Sequence, residues 1–180
     1  MTAALELPKL RRFRLVANGL TATKWDTPED KAKTGNAILA FIAKGMREEV
    51  FSKTLYRRVC QMWGFIACYN RDGFAGRYFG STQGKIAFLE HIARHRCYGD
   101  PEWTWSDVER CLRDVLHEHQ ICAFYRAELR REQNESEKAT LRALLSRHGL
   151  PPDLAPAEMR ISAVLTPPAS RAAPTQMGLL

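Results

Sequence analysis

The sequence predicts a mainly α-helical protein, one helical domain of about five helices. Three observations predict it. Apolar side chains recur at steps of three and four through residues 27–150. Residues able to cap a helix stand immediately before several of those runs. Glycine and proline punctuate the chain between the runs.

Residues 1–26 read as a basic arm. Leu10, Phe13, Leu15 and Val16 could dock, but Asn18-Gly19 and the polar run after it suggest a turn. The first helix starts at Thr27, which can cap, followed by Pro28 at a first helical position and by Glu29 and Asp30 near the positive end of the helix dipole. Ala37 to Ala43 supplies its apolar face, and Gly45 ends or bends it.

Ser52-Lys53-Thr54 opens a second helix whose stripe is Leu55, Val59, Met62, Ile66 and Tyr69. Asn70-Arg71-Asp72-Gly73 carries a turn signal, and Phe74 to Phe79 is short and aromatic. Ser81 caps a helix bearing Ile86, Leu89, Ile92 and Ala93 that runs out near Arg96, and Gly99-Asp100-Pro101 breaks the chain. Ser106 to Glu109 has the form of a capping box for a helix reaching about Arg131, with Val108, Leu112, Val115, His119, Cys122 and Leu129 on its stripe. Asn134 with Glu137 opens one more helix, and Gly149-Leu150-Pro151-Pro152 stops it. This places the helical domain at 27–150. Six of the nine prolines lie from Pro151 onward, so residues 151–180 read as a Pro-rich disordered tail.

The middle of the chain supports a second outline. Gly45 to Val59 could be a turn and a recognition helix presenting Lys53, Tyr56, Arg57 and Arg58. Phe65 to Tyr69, the Asn70–Gly73 turn and Phe74 to Phe79 could then pair as a β-hairpin over 65–79, giving a winged helix-turn-helix.

A hydrophobic share of 45% and a charged share of 26% are those of an ordinary globular chain. The longest uncharged apolar run, Ala37 to Ala43, is far short of a bilayer span. Lys9, Arg11, Arg12 and Arg14 follow a short apolar start, the reverse of a signal peptide. A cytoplasmic protein without a membrane partner is expected. Cys60, Cys68, Cys97, Cys111 and Cys122 form no CxxC pair and read as free thiols in a reducing compartment.

The net charge of +7 is uneven. Residues 1–24 carry +4, residues 25–60 and 61–100 carry +2 each, and residues 101–150 carry −1. A basic excess confined to the first hundred residues points to a polyanion. Phosphate binding needs several cations on one surface. Lys9, Arg11, Arg12 and Arg14 on the arm, Lys53, Arg57 and Arg58 at a helix start, and Arg71 and Arg77 around the aromatic turn are the candidates. Tyr56 and Tyr78 are the better stacking candidates, whereas Trp63, Phe65, Tyr69 and Phe74 belong to the core.

The enzyme motifs are missing. There is no GxxxxGK[ST], no strand-linked GxGxxG, no HExxH and no GxSxG. Gly73, Gly76 and Gly80 are interleaved with bulky aromatics, which suits turns and packing better than a phosphate cradle. Cys97 beside Arg94, His95 and Arg96 reads as a packed thiol at a helix end. His91 with His95, and His119 with Cys122, are spaced to share helix faces and could together supply four zinc ligands. Core packing and a solvated edge explain those four better, so no cofactor is expected. The sequence thus points to a non-enzymatic basic protein that binds nucleic acid. The alternative is a regulator or inhibitor that binds a protein, possibly a nucleic-acid-handling enzyme, because Trp, Tyr and Arg also dominate protein interfaces.

Overall fold

The computed structural model describes residues 14–65, 70–95 and 99–149. Among them are six helices and no strand: α1 (Pro28–Ala43), α2 (Lys53–Trp63), α3 (Arg71–Phe79), α4 (Thr82–Arg94), α5 (Ser106–Glu118) and α6 (Ile121–Arg147). The chain divides into two units, Met1–Glu135 and Ser136–Leu180. The described part of the second unit is helical to Arg147, and its side chains are exposed except for Leu145, which is half-buried. The tail read at 151–180 lies outside the described residues.

Three caps, at Thr27, Ser52 and Ser81, form where the sequence placed them. The Thr27 hydroxyl accepts the Asp30 N–H at 3.2 Å while the Asp30 carboxylate accepts the Thr27 N–H at 3.3 Å. Ser52 accepts from Leu55 at 3.1 Å, and Ser81 accepts from Gly84 at 3.1 Å. At the end of α1, Gly45 (φ 80°) and Met46 (φ 51°) are both left-handed. The Met46 N–H reaches the Phe41 carbonyl and the Gly45 N–H that of Ile42, which is the paired bonding of a Schellman stop. Met46 is fully buried, so the stop is also an anchor.

The core is built on α1, whose Ile38, Leu39, Phe41 and Ile42 are at most 3% exposed. α1 packs on α2 and α5, α3 on α4, and α4 on α5. Phe74 is fully buried, and its ring lies 4.7–6.2 Å from those of Phe51, Tyr56, Phe65, Tyr78, Phe79 and Phe88. Gly84 lets the first turn of α4 sit on the end of α3: a Cβ there would fall 2.6 Å from the Arg77 carbonyl oxygen and 3.0 Å from that of Tyr78.

Five expectations are corrected. Phe74 to Phe79 is helical, so the hairpin over 65–79 and the winged-helix outline built on it are not formed; residues 66–69, including Tyr69, are outside the described residues. Asn70 is an N-cap, its Oδ1 accepting the Gly73 N–H at 2.7 Å. Ser106 is the first residue of α5 rather than its cap, and Glu109 is buried. α6 runs unbroken through Asn134, while the break falls earlier, at His119-Gln120, so His119 and Cys122 are on different elements. The segment read as an arm is docked from Leu15: Leu15 and Leu20 are buried, and the Asn36 side chain accepts the Leu15 N–H at 2.8 Å and donates to its carbonyl at 3.0 Å.

Gln120 bridges α5 and α6 at φ 50°, a conformation that costs a side chain with a Cβ. Gln120→Gly is expected to stabilise the protein by about 0.5–1 kcal/mol, read by chemical denaturation. A loss of stability would show that the Gln120 side chain contributes more than the strain.

Candidate nucleic-acid interface

Lys53 and Arg57 stand one turn apart on α2 and are exposed; Arg77 is exposed on α3. None of the three makes an ion pair among the described residues. Lys53 and Arg57 leave their charge to solvent and to whatever binds, while the Arg77 guanidinium lies 5.5 Å over the Tyr78 ring. Arg14 is also exposed, while Lys9, Arg11 and Arg12 are outside the described residues.

The other candidates are held in the fold. The Arg58 guanidinium donates to Asp26 at 2.9 Å and lies 4.8 Å over the Trp105 ring. Arg71 donates to the Phe51 carbonyl at 3.0 Å and pairs with Asp72. Tyr56 and Tyr78 are half-buried: Tyr56 packs on Phe51 and Phe74, and Tyr78 on Phe65, Phe74 and Phe88. Those contacts take up ring surface that a stacked base would need. Trp63, Phe65 and Phe74 are buried, as expected of core residues.

The structure does not assemble the four proposed zinc ligands into one cluster. The Nε2 of His91 lies 3.0 Å from the Trp63 carbonyl oxygen, and a carbonyl only accepts, so that nitrogen carries the proton and offers no lone pair. His95 stacks on His91 with ring centres 5.8 Å apart. Burial is the main cause that lowers the pKa of His95, with His91 and Arg113 adding to it. His119 caps the end of α5 and Cys122 lies in the first turn of α6. Among the described residues no group of three His, Cys, Asp or Glu side chains could hold a metal ion.

Burial pushes up the thiols of Cys111 and Cys122, which disfavours the reactive thiolate. Burial alone pushes the Tyr125 phenol up to about 12, so it stays protonated at neutral pH. Cys97 is outside the described residues. No helix among the described residues is long and apolar enough to cross a membrane.

Sequence reasoning missed two features. The first is a tryptophan corner. Lys31, fully buried, donates to the carbonyls of Pro101 and Thr104 at 2.9 Å and to both oxygens of Asp107 at 3.1 Å. Asp107 also accepts the Thr21 N–H at 2.9 Å, and Trp105 Nε1 donates to Asp26 at 3.2 Å. These bonds hold residues 21–26 against residues 101–107. Each segment exposes one large aromatic, Trp25 at 72% and Trp103 at 61%. Asp100 and Glu102, both exposed, flank Trp103. A tryptophan set among polar residues, off any apolar stripe, was the available signal. The second feature is a groove between α4, α5 and α6, lined by residues that include Arg113, His117 and Arg126. All the lining residues but Ala93 lie between 113 and 126, and the turn between α5 and α6 that brings them together left no mark in the sequence.

Compared with protein-family models, with curated proteins and with solved structures, the chain matches none.

Proposed function

We propose that this chain is a non-enzymatic, basic helical protein of the cytoplasm that binds nucleic acid through its phosphates. The observation that carries it is the exposure of Lys53, Arg57 and Arg77 with no carboxylate paired to any of them. An exposed cation with no carboxylate paired to it can neutralise a phosphate, and the counterions this releases from the polyanion drive association. Lys9, Arg11, Arg12 and Arg14 add charge from the start of the chain. Tyr56 and Tyr78 serve the surface by fixing α2 and α3 rather than by stacking.

Binding of labelled duplex and single-stranded oligonucleotides, titrated with salt, tests it. A Lys53→Gln/Arg57→Gln/Arg77→Gln variant is expected to lower the log–log salt slope by roughly 2–3. Removing residues 1–13 separates the contribution of the start of the chain without cutting the docked Leu15. Parent affinity that is weak at low salt, or indifferent to salt, sinks the proposal.

The tryptophan corner favours a second reading, a docking site for a protein. Exposed Trp25 and Trp103 have the residue type of interface hot spots, and the acidic neighbours of Trp103 repel a phosphate backbone. Trp25→Ala and Trp103→Ala are expected to abolish capture of a stoichiometric protein partner while leaving oligonucleotide affinity unchanged. A capture experiment with the parent chain that returns no such partner counts against this reading.

A further inference from the structure

The groove between α4, α5 and α6 has a volume of about 440 Å3, within the range of small-ligand sites. Ala93, Leu116 and Ala123 give it apolar walls, and Arg113, Arg126 and His117 give it cationic or titratable ones. A second, shallower groove lined by Glu90, His91, Arg94 and His95 adjoins it. Arg126 joins the two by donating to Glu90 at 2.5 Å, and Arg94 lies 3.5 Å from the same carboxylate.

Arg113 is the anomaly. It is half-buried, its Nε is shut off from solvent without an acceptor, and among the described residues no carboxylate or hydrogen-bond partner meets it. A buried N–H without an acceptor costs free energy, and an anion accepting from the Arg113 Nε–H would offset it. Arg113 is also near enough to bear on His95, which it disfavours as a cation. The planar guanidinium matches the oxygens of a phosphate better than it matches a single point acceptor.

We propose that this groove is a binding site for a phosphate ester of nucleotide size, with Arg113 as the anchor and Arg126 as its partner across the groove. The apolar walls take the organic part, and Asp114, which also lines the groove, accepts from a hydroxyl rather than meeting the phosphate. The site is independent of Lys53, Arg57 and Arg77, which lie on α2 and α3.

Calorimetric titration of the full chain with inorganic phosphate and with AMP tests it, with the His95 imidazole followed by NMR. Saturable binding with a dissociation constant at or below about 1 mM is expected for at least AMP. Arg113→Gln is expected to weaken it at least about tenfold, and Arg113→Lys by less. Arg126→Gln, at an exposed position, is a second variant should Arg113→Gln fail to fold, and is expected to weaken binding by roughly threefold or more. A bound phosphate offsets the positive neighbours of His95, so the imidazole should titrate at higher pH when either probe is bound. The Lys53→Gln/Arg57→Gln/Arg77→Gln variant should bind AMP unchanged. If Arg113→Gln weakens single-stranded oligonucleotide binding as well, the phosphate is also supplied by a nucleic-acid backbone. No saturable binding, a folded Arg113→Gln variant that binds AMP as the parent does, or binding to which neither Arg126→Gln nor His95 responds, overturns the proposal.

Discussion

Asp107→Ala is expected to destabilise the protein by about 3–5 kcal/mol, lowering Tm by roughly 8–16 °C for a chain of this length. The substitution leaves the Lys31 ammonium fully buried with two backbone carbonyls and no counter-charge. It also strips the Thr21 N–H of its acceptor. A lysine so enclosed must then bury its charge uncompensated or lose its proton, and either costs several kcal/mol. The double variant Lys31→Met/Asp107→Leu removes both charges and fills the space with apolar atoms. It should recover much of the loss, because a buried ion pair gains little over a well-packed apolar pair. Urea denaturation of the parent, the single variant and the double variant measures both effects. A single-variant cost below about 1 kcal/mol would mean that water reaches Lys31.

Phe74→Ala should cost a comparable amount, about 3–5 kcal/mol. Six rings close around Phe74, contributed by Phe51, α2, the Phe65 that follows α2, α3 and α4, so no one neighbour can move in to fill the space. Phe74→Leu keeps most of the volume and should cost only about 1–2 kcal/mol. The contrast between the two, measured by thermal and chemical denaturation, distinguishes packing from intrinsic helix preference. Helix preference alone would make alanine the more stable of the two.

Much of the fold is legible in the sequence because its signals are local. Thr27, Ser52 and Ser81 each satisfy an N–H three residues on, and the apolar stripe of α2 survives as buried Leu55, Val59 and Met62. α3 is illegible for a physical reason. Its nine residues include two glycines and three aromatics, all poor helix formers, and the burial of Phe74, Ala75 and Phe79 overrides that weakness. Asn70 sends the same side-chain-to-backbone bond whether it opens a turn or a helix. The α5–α6 break is hidden because apolar spacing continues across Gln120, whose left-handed backbone leaves no mark in a sequence. The candidate cations were legible as residue types, but not which of them face solvent. Arg58 differs from Arg57 because Asp26, 32 residues earlier, and the Trp105 ring come to meet it.

The tie between the two polar segments also bears on how long the folded chain lasts. The Thr21–Asp107 bond spans 86 residues, Trp105–Asp26 spans 79 and Lys31–Thr104 spans 73, whereas α3 and α4 are joined by a short link. Contacts that close such long loops are expected to form late on the folding pathway, after neighbouring helices have paired. A late contact is absent from the transition state, so it slows escape from the native state more than it speeds arrival there. Weakening Asp107 should therefore steepen the unfolding rate and leave refolding almost untouched. The ion pair at the back of the tryptophan corner would then act as a latch in time as well as in space.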